Sequence, residues 1–235
     1  MKNSKAVVDI ITAVLIVIIS MGLAATAYTW GIPLIQKSQD TAVIERIISY
    51  FDQNNVNSLP SRIEFIANNG GEHTFTLDSD GFWRLYPCPK DELPSNRCNP
   101  SPDDKVDDTN SMEFTFFSKV SNVATYDAEN KLIGFVSLTP GAKCPPEVGI
   151  LGTDRPSVVC AKAVPSHDGF EITYKVWFRE LKETEARAFK IDLTKHASGV
   201  YSTTDKILKI SRQDTYQVSA GGKTLIIPEI KILLE

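Results

Sequence analysis

Residues 10–30 read IITAVLIVIISMGLAATAYTW, an uncharged run preceded by Lys2 and Lys5. About 20 apolar residues, rising ~1.5 Å each, cross the ~30 Å hydrocarbon core of a bilayer. A helix of a soluble domain is rarely apolar on every side over this length. Tyr28 and Trp30 close the run, where aromatic rings belong at a membrane interface. The two lysines predict a cytoplasmic N-terminus with the remainder of the chain outside. Two plainer readings compete: a secretory signal cut at Ala25-Thr26-Ala27, and a simple membrane anchor.

The rest of the 235-residue chain has an ordinary soluble composition, with 42% hydrophobic residues overall, net charge -4 and a pI near 5.5. An acidic balance argues against a nucleic-acid partner, which needs a basic face. Lys and Arg are nowhere clustered, so an electrostatic anchor on anionic lipid has no support either. The four cysteines, Cys88, Cys98, Cys144 and Cys160, form an even set beyond the hydrophobic run and read as two disulfides in an oxidising space. Three pairings are open, and loop length favours Cys88–Cys98 with Cys144–Cys160. A zinc site would need C-x-x-C pairs and histidines in register, which are absent.

Lys5-Ala6-Val7-Val8-Asp9-Ile10-Ile11-Thr12-Ala13, followed by the apolar helix ending Ala27-Tyr28-Thr29-Trp30, resembles the N-terminal region of archaeal type IV pilins. The resemblance covers about the first 35 residues, and the Val8-Asp9 pair stands where that family often has Ser-Pro. It implies a leader at residues 1–6, with processing at Lys5-Ala6-Val7 by a prepilin-type peptidase, leaving Val7 as the new N-terminus. It also implies a homopolymer whose cores are the N-terminal helices. Asp9 would pair with the new amine of a neighbouring subunit, or alternatively cap a helix starting at Ile10. Small residues, Gly22, Ala24 and Ala25 with Ser20 and Ala27, would let neighbouring helices approach closely.

Pro33 is expected to kink or end the first helical section. Val43, Ile44, Ile47, Ile48 and Phe51 then recur at helical spacing opposite Glu45, Arg46, Ser49 and Asp52, giving an amphipathic helix over 39–53 whose dry face should pack on the domain that follows. Together these define a helical section over 7–53. Residues 54–60 break it. From Ser61 onward a β pattern is expected, with strands at 62–67, 73–77, 82–86, 112–117, 132–138, 157–164, 170–178, 186–193, 206–211 and 224–234. Glu171, Thr173 and Lys175 alternate with Ile172, Tyr174 and Val176, predicting one wet and one dry face. Pro228 predicts an edge or a bulge. The expected class is α+β: one long N-terminal helix, then an antiparallel, sandwich-like domain over 61–235.

Residues 87–110 form a long Pro-, Asp- and Asn-rich excursion that holds Cys88 and Cys98, and a bridge between the two would staple it. Within it Asp103, Asp104, Asp107 and Asp108 crowd four carboxylates together, a calcium candidate lacking the EF-hand spacing and its turn glycine. Ser166-His167-Asp168 holds the residue types of a hydrolase triad, but adjacent residues cannot form the relay. Trp83 and Trp177 read either as a sugar platform or as core. His73 and His196 form no ligand pair. Neither a phosphate-binding glycine loop nor G-x-S-x-G occurs, so the expectation is a non-enzymatic protein without a cofactor. The leading expectation is a filament subunit whose partners are itself, the membrane and a prepilin peptidase. A monomeric membrane-anchored binding or stator module is the alternative, and a tethered enzyme a third.

Overall fold

The computed structural model describes residues 3–88, 110–121, 133–134, 144, 148–220 and 222–235. The chain divides into two compact units, Met1–Ala42 and Val43–Glu235. Helix α1, Asn3–Phe51, contributes to both and runs without interruption through Pro33, so the proline does not end it. Because α1 already begins at Asn3, Asp9 lies inside the helix rather than capping it.

The distal end of α1 packs as its periodicity predicts. Ile44, Ile47 and Phe51 are buried in the main core of the second unit. The ring of Phe51 stacks on Tyr174, centroids 5.1 Å apart and planes 13° from parallel, and also meets Trp83 and Phe114. Burying three such side chains contributes about 1.5–3 kcal/mol each.

The expected strand at 62–67 is instead helix α2, Leu59–Asn69. Ser58 is its N-cap, with extended backbone, and its side chain accepts from the Ser61 amide at 3.4 Å. Pro60 occupies the first turn, where its missing N–H costs nothing. Leu59, Ile63, Ile66 and Ala67 form the buried stripe. Gly70, at φ 79°, ends the helix and returns its amide to Ile66 O at 2.8 Å.

The strands are β1 (Glu72–Thr76), β2 (Phe82–Tyr86), β3 (Ser111–Ser118), β4 (Ile133–Gly134), β5 (Val148–Ile150), β6 (Ser157–Ser166) and β7 (Gly169–Phe178). They continue as β8 (Glu180–Thr184), β9 (Arg187–Phe189), β10 (Asp192–Lys195), β11 (Ser202–Thr203), β12 (Ile207–Ala220) and β13 (Lys223–Leu234). Among the described residues they form two sheets. One runs β11-β2-β3-β7-β6-β4 and is antiparallel throughout. The other runs β1-β12-β13-β9-β8-β5, with β10 also on β13. This second sheet is mixed rather than purely antiparallel: β9 and β10 both pair parallel to β13, and β5 pairs parallel to β8. A single core cluster joins side chains of both sheets, α2 and the end of α1.

Pro228 is not on an edge. It lies in β13, which has β12 on one side and β9 and β10 on the other. Both ladders adapt around it. The β12 register shifts between Arg212 and Thr215, opposite the proline, and the parallel partner breaks between Phe189 and Asp192. A residue without an amide donor is accommodated in a central strand because its neighbours stop asking for one.

The face of β7 expected to be wet is also largely covered. Thr173 and Lys175 are buried, and Lys175 Nζ lies 3.4 Å from Glu113 Oε1. Trp177 on the same face packs with Val158, Cys160 and Cys144. Only Glu171 of the three expected residues is exposed. Strict alternation therefore describes which way side chains point on β7, and not which of them meet water.

Asn110 carries a further long-range tie. It is the one described non-glycine residue with positive φ, at 59°, and it is fully buried. Its carboxamide donates to Phe178 O at 3.1 Å and Ile191 O at 2.8 Å, and accepts from the Leu193 amide at 2.7 Å. One side chain thus links β7 of the first sheet to the β9–β10 break of the second.

Candidate functional site

The residues that stand out are those of α1 left uncovered. Every side chain from Ile11 to Trp30 is exposed, including Leu15, Ile18, Met21 and Leu23. The helix is long and apolar enough to cross a membrane. Its hydroxyls are satisfied within the helix where they are bonded: Thr26 Oγ1 donates to Gly22 O at 2.7 Å and Thr29 Oγ1 to Thr26 O at 2.9 Å. Such back-bonding removes donors that lipid or an apolar neighbour could not serve. Between residues 10 and 44 the only formal charges are Lys37 and Asp40.

The sequence-predicted assembly residues do not share one face. At about 100° per residue, Gly22 and Ala25 lie within about 60° of each other, whereas Ala24 points to nearly the opposite side. Ser20, Ala27 and Gly31 fall with Ala24, so the helix has two small-residue sides. A Cβ added at Gly22 would meet nothing within 4 Å. Ile11, Val14, Leu15 and Ile18 border a shallow apolar groove in line with the Gly22 side. Lys5, Ala6, Val7 and Asp9 all lie in the first turns of α1.

Elsewhere the candidates fall away. Trp83 and Trp177 are both fully buried, so neither can present a sugar platform; each anchors a core cluster. Ser166, His167 and Asp168 form the β6–β7 turn, where His167 Nδ1 and Asp168 Oδ1 are 3.3 Å apart and both side chains are almost fully exposed. His73 lies on β1 and His196 just after β10, in separate surroundings. His73 is held below the usual imidazole range, first by burial and then by the nearby Arg62 charge. Among the described residues no group of three or more His, Cys, Asp or Glu gathers into a metal-binding arrangement. Asp103, Asp104, Asp107 and Asp108 lie outside the described residues.

Cys144 and Cys160 are disulfide-bonded, the pairing favoured by loop length. Cys88 is also disulfide-bonded, while Cys98, its expected partner, lies outside the described residues.

Sequence reasoning overlooked one part of the helix surface. Ile32, Leu34 and Ile35, beyond the aromatic pair, are 45%, 66% and 59% exposed. The signal was present: the run free of charge and carboxamide does not stop at Trp30 but continues to Ile35. Compared with protein-family models, with curated proteins and with solved structures, the chain matches none of them.

Proposed function

We propose that this chain is the structural subunit of a surface filament of the archaeal type IV pilus kind. It would be held first in the membrane by α1 and then polymerise through it, carrying the β-rich domain outward. The observation that carries the reading is the division of labour along one uninterrupted helix. Residues 11–35 carry no charge and all but Gly31 are exposed, while Ile44, Ile47 and Phe51 of the same helix are built into the domain core. Two small-residue sides support neighbours on more than one side, as a bundle requires and a solitary anchor does not. The Cys144–Cys160 disulfide supports placement of the domain in an oxidising space.

The test is the N-terminal sequence of the protein recovered from the cell surface, with sheared high-molecular-weight material and membranes analysed separately. A start at Val7 in sheared material is expected. A start at Met1 found only in membranes overturns the filament reading and leaves a membrane-anchored binding module. A start at Tyr28 overturns both, because α1 would then serve only for secretion.

A further inference from the structure

The open edges of the two sheets are not equally guarded. Strands β4, β5 and β11 are two or three residues long, and brevity is one of the usual protections of an edge. Strand β12 differs. Its outer side is paired with β1 only from Ile207 to Ser211, and among the described strands nothing pairs there with Thr215–Ala220. The bulge between Arg212 and Thr215 comes before this stretch and does not interrupt it. Thr215, Gln217 and Ser219 are exposed. Beside them, where Gly71 O accepts from the Arg212 amide, a Cβ added at Gly71 would meet nothing within 4 Å. From Thr215 to Gly222 no residue is charged and none is proline, so the side chains that keep strand edges apart are missing.

We infer that a second copy of this chain docks here, the two β12 edges pairing antiparallel about a two-fold axis at Gln217. The occupant follows from the edge itself, because the stretch Thr215-Tyr216-Gln217-Val218-Ser219 is complementary to its own reverse. With Gln217 opposite Gln217, Thr215 falls opposite Ser219 and Tyr216 opposite Val218, on both sides of the axis. Hydroxyl pairs and aromatic–β-branched pairs are among the favourable cross-strand combinations. No like charges meet, since Asp214 falls opposite Ala220. The same register serves the packing. Tyr216 and Val218 lie on one side of β12, half-buried against Ala188, Leu225 and Ile227. Val218 of the second copy comes against Tyr216 and extends that apolar cluster across the axis. A ladder from Thr215 to Ser219 is small beside the ~1,600 Å² of a standard interface, so it forms between copies concentrated at a surface rather than between dilute molecules. A two-fold contact is isologous, unlike the head-to-tail contacts that build a filament, and the inference therefore does not depend on the filament reading.

The experiment uses the full-length chain in its own membranes, oxidised and read on non-reducing gels. Gln217→Cys brings two thiols directly opposite each other at the axis, with Cα atoms about 5 Å apart. Thr215→Cys alone leaves its two thiols four residues apart along the ladder, about 14 Å, beyond disulfide reach. Dimer from Gln217→Cys at least five-fold above that from Thr215→Cys or Ser219→Cys alone is expected. Co-expressing Thr215→Cys with Ser219→Cys should raise dimer to the Gln217→Cys level. Adding Thr215→Lys and Ser219→Lys to Gln217→Cys sets like charges opposite each other at exposed positions, and should return the dimer to the Thr215→Cys level. Thr215→Glu with Ser219→Lys sets opposite charges there and should recover it. Equal product from all three single cysteines overturns the inference, as does product insensitive to the charge pairs or Gln217→Cys joined to a different protein. If the chain is found only in membranes, starting at Met1, while this cross-linking pattern holds, the filament reading fails and the inference stands. If sheared filaments start at Val7 but the pattern is absent, the reverse holds.

Discussion

Residues 11–35 and 43–51 of α1 belong to one helix and are both rich in Ile, Val and Leu, yet they meet opposite environments. The second stretch confines its largest apolar residues to one stripe. Ile44, Ile47 and Phe51 are buried, while Glu45 and Arg46 remain exposed. The first stretch has no polar side, and its residues from Ile11 to Trp30 are all exposed. Hydrophobicity alone therefore does not decide where a helix goes. Its angular distribution does, because a one-sided stripe can be satisfied by one sheet-based core, and an all-round surface needs lipid or several helices.

The sharpest way to break this contrast is to truncate one large side chain on each side of it. Phe51→Ala should destabilise the β domain by about 3–5 kcal/mol, through lost burial and the cavity left against Tyr174, Trp83 and Phe114. Ile18→Ala, by contrast, should leave denaturant unfolding of the domain in detergent unchanged. A comparable loss in both variants would mean the two halves are not energetically separate.

A somewhat smaller effect tests whether the domain is held by polar ties as well as by that stripe. Asn110→Ala strands two carbonyls and one amide, and should cost about 3 kcal/mol in the same assay. Asn110→Gly relieves the positive φ without restoring the bonds. It should recover only the smaller, conformational part of the loss. Full recovery by glycine would assign the role of Asn110 to its backbone.

The smallest effect lies on the domain surface. Lys206 Nζ is 2.8 Å from Asp80 Oδ1, and this hydrogen bond, then its charge, holds the Asp80 carboxyl below its ordinary value. A depressed carboxyl contributes stability above its unfolded value near 3.8, which is lost as pH falls through the lower folded value. Lys206 is raised by the same partner, so its share is present below about 10.5 and is lost as pH rises through the folded value. Both groups are fully exposed, so the contribution is slight. Following Asp80 by NMR, the titration midpoint should move up in Lys206→Met. An unmoved midpoint would show that the pair does not form in solution.

What the sequence made legible follows the same logic of pattern strength. The apolar helix stands out by its unbroken uncharged run, and its amphipathic continuation and strands such as β2, whose bounds coincide with those expected, stand out because one periodicity dominates each. Helix α2 was misread because Ile63 and Phe65 alternate with Arg62 and Glu64 like a strand, although Phe65 proves exposed and Ile63 and Ile66 form the helical stripe. Its true signals were local: a serine cap followed by a proline. The expected strand at 186–193 is really β9 and β10, split where β13 has its proline, and a break dictated by a partner is invisible in the strand itself. Short edge elements such as β5 and β11 are too brief to show any period. On the candidate site, composition revealed the apolar run, but only exposure revealed how far past Trp30 it stays uncovered.

The central position of β13 also has a consequence for the order of events in the cell. Of all the described elements it is the last to be made, and β12, β9 and β10 all hydrogen-bond to it. Until it arrives, those three strands lack their common partner, and their apolar residues Leu208, Ile210 and Leu193 have no closed core. Helix α1 is made first. If it enters the membrane as proposed, each new chain waits on the far side as a tethered, unfinished sheet with open edges. That interval is when such strands pair wrongly, and tethering neighbours close together lengthens the odds against them. A chaperone or a slow rate of insertion would then matter most while β13 is emerging.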